Sequence, residues 1–467
     1  MVFSSAAFLF LFLPIVMMLY YPVPNRRHRN AVLLMASLFF YAYGEPMYIV
    51  IMILMVSVIY VLALRMSAQK KSASRKAYLI AGVIFSLSFL IWFKYTGFLL
   101  RNIYGVFGKT SPFRAPELPI GISFYTFQVL TYYVDVYRGK TKPQRNLVHL
   151  LLYVSFFPQL IAGPIVNYSD IEASLRERTI HIMDVYNGMV RFIIGLAKKC
   201  IIANSCGSIV ENLNGTSFSV GGAWLQAIAF ALQLYFDFSG YSDMAIGLGH
   251  MFGFTFKENF KYPYTALSVT DFWRKWHISL GAFFREYVYI PLGGNRVSWL
   301  RHVRNIMVVW ALTGIWHGAS WNFLLWGLYY GILLILEKSF LLKVKEHLPK
   351  IINVLMTLFA VVIGWVLFYH TDLKEAVSHV QRLFGIGASG MTDARVIYEF
   401  RNGIGMLLIG CAACFPFADM VPAMEKCGGL SEKFITLFRP VAATVLLLIS
   451  IAMIVGSSFN PFLYFRF

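Results

Sequence analysis

The sequence predicts an all-α protein that crosses a membrane many times, and three observations carry that expectation. Of 467 residues, 58% are hydrophobic; only 13% are charged, against ~25% in an ordinary soluble domain. Apolar runs recur along the chain at lengths near the ~20 residues that a helix needs to cross a bilayer. A soluble protein this apolar would lack the polar surface to stay in water. A disordered chain or a coiled coil needs more charge, and a transmembrane β-barrel would show short alternating segments instead of long apolar runs.

The formal charge of +19 has a topological reading. The basic residues gather in short loops between apolar runs, the pattern of cytoplasmic loops, where they meet anionic lipid; nucleic acid is not the expected partner. The five cysteines are odd in number and scattered, which excludes a disulfide scaffold. Cys411 and Cys414 have the spacing of a redox motif but lie in an apolar run with no βαβ pattern, so buried, inert thiols are expected there and at Cys200, Cys206 and Cys427.

Taken in order, the apolar runs fall near 5–21, 31–43, 47–65, 78–93, 119–136, 147–166, 185–204, 222–238, 305–319, 321–340, 351–369, 403–423 and 436–457. The first lacks a basic start and a small-residue cleavage site, so no cleavable signal peptide is expected. The cluster Arg26-Arg27-His28-Arg29 that follows it puts the N-terminus outside. The loops bearing Lys70, Lys71, Arg75 and Lys76, and then Arg138, Lys140, Lys142 and Arg145, each return to the same inner side. Pro158 and Gly163-Pro164 interrupt the sixth run, predicting a broken or re-entrant element. From Lys257 to Arg304 the chain is too polar to span. It mixes Lys257, Lys261, Arg274, Lys275, Arg285, Arg296, Arg301 and Arg304 with Phe272, Trp273, Trp276, Phe283, Phe284, Tyr287 and Tyr289, the composition of a helix lying at the membrane interface. No repeat or composition shift marks a second domain, so residues 1–467 are expected to form one membrane domain.

Two of the ten histidines stand out. His317 lies in an apolar stretch between Gly314 and Gly318. An ionisable group at membrane depth is a functional candidate, and desolvation favours the neutral imidazole that a general base requires; the alternative is a core histidine bonded to a carbonyl. His277 sits in the basic-aromatic segment, where a headgroup-level belt residue is the alternative. No H-x-x-x-H pair supports a metal site. Asp135, Asp237 and Asp243 are the main acids in apolar runs. The polar strip from Gln233 to Asp243 either lines a wet cavity or caps helices.

Several stretches resemble one family. Asp271-Phe272-Trp273-Arg274-Lys275-Trp276-His277-Ile278-Ser279, then Tyr289-Ile290-Pro291-Leu292-Gly293-Gly294-Asn295-Arg296, then Gly314-Ile315-Trp316-His317-Gly318-Ala319 are similar to signatures of the membrane-bound O-acyltransferases, most closely the alginate O-acetyltransferase branch. Segments 119–128, 135–139, 155–164 and 235–244 match in the same order. Asn167 stands where a basic residue is expected, and Tyr369-His370 replaces a Phe-Arg-like pair. The resemblance implies a helical bundle around a central funnel with re-entrant elements, a signature core over about 119–340 and additional C-terminal spans over 351–457. It implies catalytic roles for His317 and His277. It also implies a cytoplasmic acyl donor, acetyl-CoA, whose phosphates would meet Arg274, Lys275, Arg285 and Arg296. The acetyl group would cross a bacterial inner (cytoplasmic) membrane to an extracytoplasmic SGNH-type acetyltransferase partner and finally to a polysaccharide. Two readings stay open beside it: a D-alanyl transfer protein of teichoic acid modification, and a non-catalytic polytopic transporter.

Overall fold

The computed structural model describes residues 1–161, 163–419, 430–456 and 463. Every regular element among them is helical. Among the described residues, seven helices, the first Ile49–Ala68 and the last Leu437–Gly456, are long and apolar enough to cross a membrane. The chain divides into two compact units, Met1–Phe192 with Met244–Lys257, and Ile193–Asp243 with Glu258–Phe467.

In the first unit, Ile49–Ala68, Ser72–Leu90 and Ile122–Arg138 pack against one another. The second apolar run becomes Arg26–Gly44, started by the Asn25 side chain, which accepts from Arg27 N–H at 2.8 Å. It stops before Pro46, whose ring disfavours helical geometry at Glu45. The basic cluster therefore forms the first helical turn. Positive charge there opposes the helix dipole, a cost consistent with its role at a membrane surface. The predicted interruption is present: Leu147–Ser155 ends, Phe157–Leu160 adds one turn, and residues 163–167 are non-helical. Irregular backbone at this depth must be satisfied by protein. Here it is buried, and Tyr153 donates its hydroxyl to Val166 O at 2.7 Å. Phe8, Phe12, Phe40 and Phe157 close the unit with ring contacts of 5.3–6.3 Å.

The second unit holds an aromatic core. Trp273, Trp276, Trp310, Trp326, Tyr330, Trp365 and Phe368 pack at ring distances of 4.7–6.4 Å. Such pairs are worth about 0.5–1.5 kcal/mol each beyond the area they bury. The Trp365 indole donates to Tyr264 Oη at 3.1 Å, and that hydroxyl donates to Ala231 O at 2.6 Å. The strip from Gln233 to Asp243 does more than cap helices. Asp237 pairs with Lys199 at 2.7 Å, both almost fully buried, and accepts Leu463 N–H at 2.9 Å; Asp243 pairs with Lys198 at 2.7 Å.

One expectation is corrected. Residues 257–304 are not one interfacial helix. They form Val269–Lys275, Ile278–Phe284, a π-turn Arg285–Tyr289 and a Gly293-Gly294 turn; Arg301 and Arg304 begin the long helix Trp299–His317. The breaks lie at His277 and at Gly293-Gly294, all at positive φ, where a helix cannot continue. The run near 403–423 becomes Ala394–Ala413 and a short turn Pro416–Asp419; the rest of it, with Cys427, lies outside the described residues. Cys200, Cys206 and Cys414 are free, buried thiols as expected, whereas the free thiol Cys411 is exposed, on the outer face of Ala394–Ala413.

Trp299–His317 and Trp321–Leu336 form a hairpin whose backbones touch. A Cβ on Gly314 would lie 2.3 Å from Phe323 O, and one on Gly327 would lie 2.2 Å from Trp310 O. Small residues that let membrane helices approach this closely are a recurring packing device. Gly327→Val should therefore force the hairpin apart and lower the thermal midpoint of detergent-purified protein. Gly405→Ala, where an added Cβ meets nothing within 4 Å, should leave it level or raised, because Gly weakens a helix by roughly 0.5–1 kcal/mol relative to Ala. Equal midpoints for the two variants would refute the close-packing account.

Candidate active site

The site is built on the short helix Val269–Lys275 and anchored from a distance. Ser268 caps the helix, accepting Asp271 N–H at 2.9 Å. Glu337, buried, accepts Val269 N–H at 2.7 Å, Thr270 N–H at 2.8 Å and the Thr270 hydroxyl at 2.9 Å. A carboxylate at a helix N-terminus satisfies donors that the helix leaves unpaired and is favoured by its dipole. Lys345 pairs with the same carboxylate at 3.0 Å and donates to Thr357 Oγ1 at 3.2 Å.

Beyond this helix the chain turns sharply at His277, with φ 47° and ψ 53°. That left-handed conformation costs a non-glycine residue roughly 1–2 kcal/mol, so it must be held. Asn259 holds it. Its backbone carbonyl accepts Ile278 N–H at 2.9 Å, and its side-chain oxygen lies 3.1 Å from Ser279 N, 2.9 Å from Ser279 Oγ and 3.3 Å from His277 Nδ1. The His277 ring is buried against the Phe238 edge at 4.7 Å, and burial pushes its pKa down to about 3. The following turn is fixed by Asn305, whose amide donates to Leu292 O at 3.1 Å and Gly294 O at 3.0 Å. This sets the position of Asn295 and Arg296.

These elements line a partly open cavity of about 1080 Å³, slightly larger than most small-molecule sites. Trp273, Trp276 and Trp310 give it an aromatic wall, and Arg274, Arg285, Arg296 and Lys338 bring cations to it; His277 is in the wall. Of the cations expected from sequence, Arg274, Arg285 and Arg296 are thus brought together. Lys275 is not among the lining residues and pairs with Asp271 at 2.9 Å. Lys338 was not anticipated, because it sits in an apolar run far along the chain.

His317, the last residue of Trp299–His317, lies one turn beyond Thr313, which lines the cavity. Its ring packs at 5.0 Å from Trp326 and 5.2 Å from Phe368. The two candidate histidines share a neighbour: Trp316 lies 6.1 Å from the His277 ring and 4.9 Å from the His317 ring.

A second histidine pair buttresses the His317 side. His370 follows Phe368 closely, and its carbonyl accepts from the Asn322 amide. Its Nε2 lies 2.9 Å from His379 Nδ1, and His379 Nε2 lies 3.1 Å from Ala223 O. Glu375 is 3.5 Å from His370 Nδ1. Burial first, with Arg382 among the further causes, pushes both pKa values down to about 4. An unfolded histidine takes up its proton near 6.5; these two resist it when folded. Their contribution to stability is therefore complete above pH about 6.5 and is lost as the pH falls toward 4. The thermal midpoint should drop between pH 7 and pH 5, and His370→Gln with His379→Gln should flatten that slope. An unchanged slope in the double variant would count against the linkage.

Comparison with known proteins places the chain. The family model described as "MBOAT, membrane-bound O-acyltransferase family" matches residues 37–370. A protein of Azotobacter vinelandii named "Probable alginate O-acetylase AlgI" is 38% identical over 100% of both chains. The "Peptidoglycan O-acetyltransferase" of Helicobacter pylori is 33% identical over 100% of this chain and 98% of its own. The "Teichoic acid D-alanyltransferase" of Bacillus subtilis is 29% identical over 52% of this chain and 67% of its own. With its helical units, apolar spans and signature histidines, the chain is a multi-pass membrane protein that belongs to the membrane-bound O-acyltransferase family.

Proposed function

We propose that this O-acyltransferase takes an acetyl group from acetyl-CoA at the cytoplasmic face of a bacterial inner membrane and passes it outward for O-acetylation of an extracytoplasmic polysaccharide. One observation carries the reading: a single cavity combines an aromatic wall, Arg274, Arg285, Arg296, Lys338 and His277, next to the Trp316 that His277 shares with His317. A phosphate-bearing thioester needs cations for its phosphates and an apolar path for its acyl end. The basic segment 257–304 supplies the first on the side where positive charge is retained. The full-length relatives are named for O-acetylation of polysaccharides. The D-alanyl-transferring relative matches only about half of this chain, so acetyl is the favoured cargo.

In this mechanism neutral His317 accepts the proton of the acceptor hydroxyl as its oxygen attacks the thioester carbonyl. The C–S bond then breaks, the acyl–oxygen bond is complete, and the thiolate leaves and takes up the proton. The indole N–H of Trp326 has no acceptor among the described residues, and its ring lies 5.0 Å from that of His317; it is the candidate donor to the developing oxyanion. His277, in the cavity wall, is the second catalytic imidazole and acts in its unprotonated form.

The assay is acetyl transfer from labelled acetyl-CoA in membranes. His317→Ala should lower kcat by at least ~10²-fold, the lower bound for general-base help, with insertion and folding retained. Arg285→Ala with Arg296→Ala should raise KM for the donor roughly tenfold or more, the loss expected of charge-assisted hydrogen bonds. Full activity in His317→Ala would overturn the assignment.

The immediate acceptor is proposed to be an SGNH-type partner. The longest stretch between apolar runs, residues 239–304, is given over to the elements that line the cavity and does not add a separate polymer-binding domain. Protein in liposomes, with acetyl-CoA inside and polysaccharide outside, should acetylate polymer only when the partner is added. Efficient acetylation without it would make this chain the terminal transferase.

A further inference from the structure

We infer that Asn259 is a positioning residue that fixes His277 as its Nδ1–H tautomer, so that the imidazole lone pair is on Nε2. The inference rests on reading the cavity as the acyl-donor site. It begins with an assignment that the hydrogen-bond pattern forces. The Asn259 side-chain atom that meets Ser279 N at 3.1 Å receives a backbone N–H, which can only donate. That atom is therefore the amide oxygen and not the nitrogen. The same oxygen lies 3.3 Å from His277 Nδ1, and an oxygen acceptor is paired with Nδ1 only when Nδ1 carries hydrogen. A neutral imidazole has one N–H, so the lone pair is on Nε2.

The surroundings support a neutral ring held in one pose. Asn259 is fully buried, and burial depresses the His277 pKa. Two main-chain bonds, Ile278 N–H to Asn259 O and Lys261 N–H to Lys275 O, both at 2.9 Å, lock residues 259–261 along the turn. Phe238 and Phe260 pack against the ring at 4.7 and 6.4 Å. The other titratable groups of the cavity wall are Arg274, Arg285, Tyr289, Arg296 and Lys338. Four are cations and one is a phenol, so the wall holds no carboxylate among the described residues to replace Asn259 as acceptor. Nothing in the sequence marks Asn259: it lies between a charged pair and a phenylalanine, well upstream of the histidine it orients.

The test uses full-length protein carrying Asn259→Asp or Asn259→Ala. The first readout is the pH dependence with which diethyl pyrocarbonate acylates His277, followed by mass spectrometry of the His277 peptide. This reagent requires an unprotonated ring nitrogen and reports on the imidazole whether or not acetyl transfer occurs. The second readout is the pH profile of kcat for acetyl transfer. A carboxylate at position 259 stabilises the imidazolium. In Asn259→Asp the midpoint of modification should therefore move up by about one pH unit or more. The acid limb of kcat should move with it, with the donor KM unchanged. In Asn259→Ala kcat should fall roughly 10- to 100-fold, as for loss of a group that holds a catalytic tautomer, again without a KM change. A purely structural Asn259 would scale both signals without moving either midpoint; an unshifted midpoint in Asn259→Asp overturns the inference. A shifted modification midpoint in protein that transfers no acetyl group would uphold the tautomer assignment and refute the acetyl-transfer reading instead.

Discussion

The carboxylate of Glu337 gathers the N-terminus of Val269–Lys275, the Thr270 hydroxyl and the Lys345 ammonium into one buried cluster. The cavity depends on it. Val269–Lys275 is too short to be stable by itself, since isolated helices below ~12–15 residues are marginal. Its place is set by this anchor and by the aromatic core beneath it. Arg274, Trp273 and Trp276 then reach the cavity at fixed positions. Removing the carboxylate would leave Lys345 as an uncompensated buried charge, a loss of about 3–5 kcal/mol in comparable cases. The anchor is thus coupled to folding as well as to the site.

The same constraint, that polar groups at membrane depth must find protein partners, governs the rest of the molecule. The Lys199–Asp237 pair places two charges in the second unit's interior, and the backbone N–H of Leu463 adds a third partner. In the first unit, the irregular chain after Ser155 is tolerated because Tyr153 and its neighbours satisfy it. Asp237 and Asp243, the two acids of the polar strip, are both held by ion pairs.

Strain marks the site. Among the described residues only Tyr262 and His277 adopt positive φ without being glycine, and of the two His277 lines the cavity. A left-handed histidine directs its ring at an angle that neither helix nor strand permits. The surrounding structure, through Asn259, over-determines that pose. His370 offers a different lesson. It departs from the residue type expected at its position, and in the structure it belongs to the hydrogen-bonded pair with His379 that braces the helix end next to His317.

The sequence by itself determined the helical class, the interruption between Leu147 and Val166 and the family, and it put forward His277 and His317 as candidates. Each of these is local: an apolar run, a missing N–H or a short ordered motif is complete within a few residues. The uniform basic-aromatic composition of 257–304 concealed its division into short helices, because the breaks come from positive-φ turns and not from composition. Tertiary structure alone decided that His277 and His317 share Trp316, that Lys338 joins the cations while Lys275 turns to Asp271, and that Asn259 and Glu337 hold the site. The physical reason is common to all of them. Each is a contact between residues distant along the chain, and such contacts are selected by which polar groups can be satisfied, and which rings can pack, once the helices have assembled.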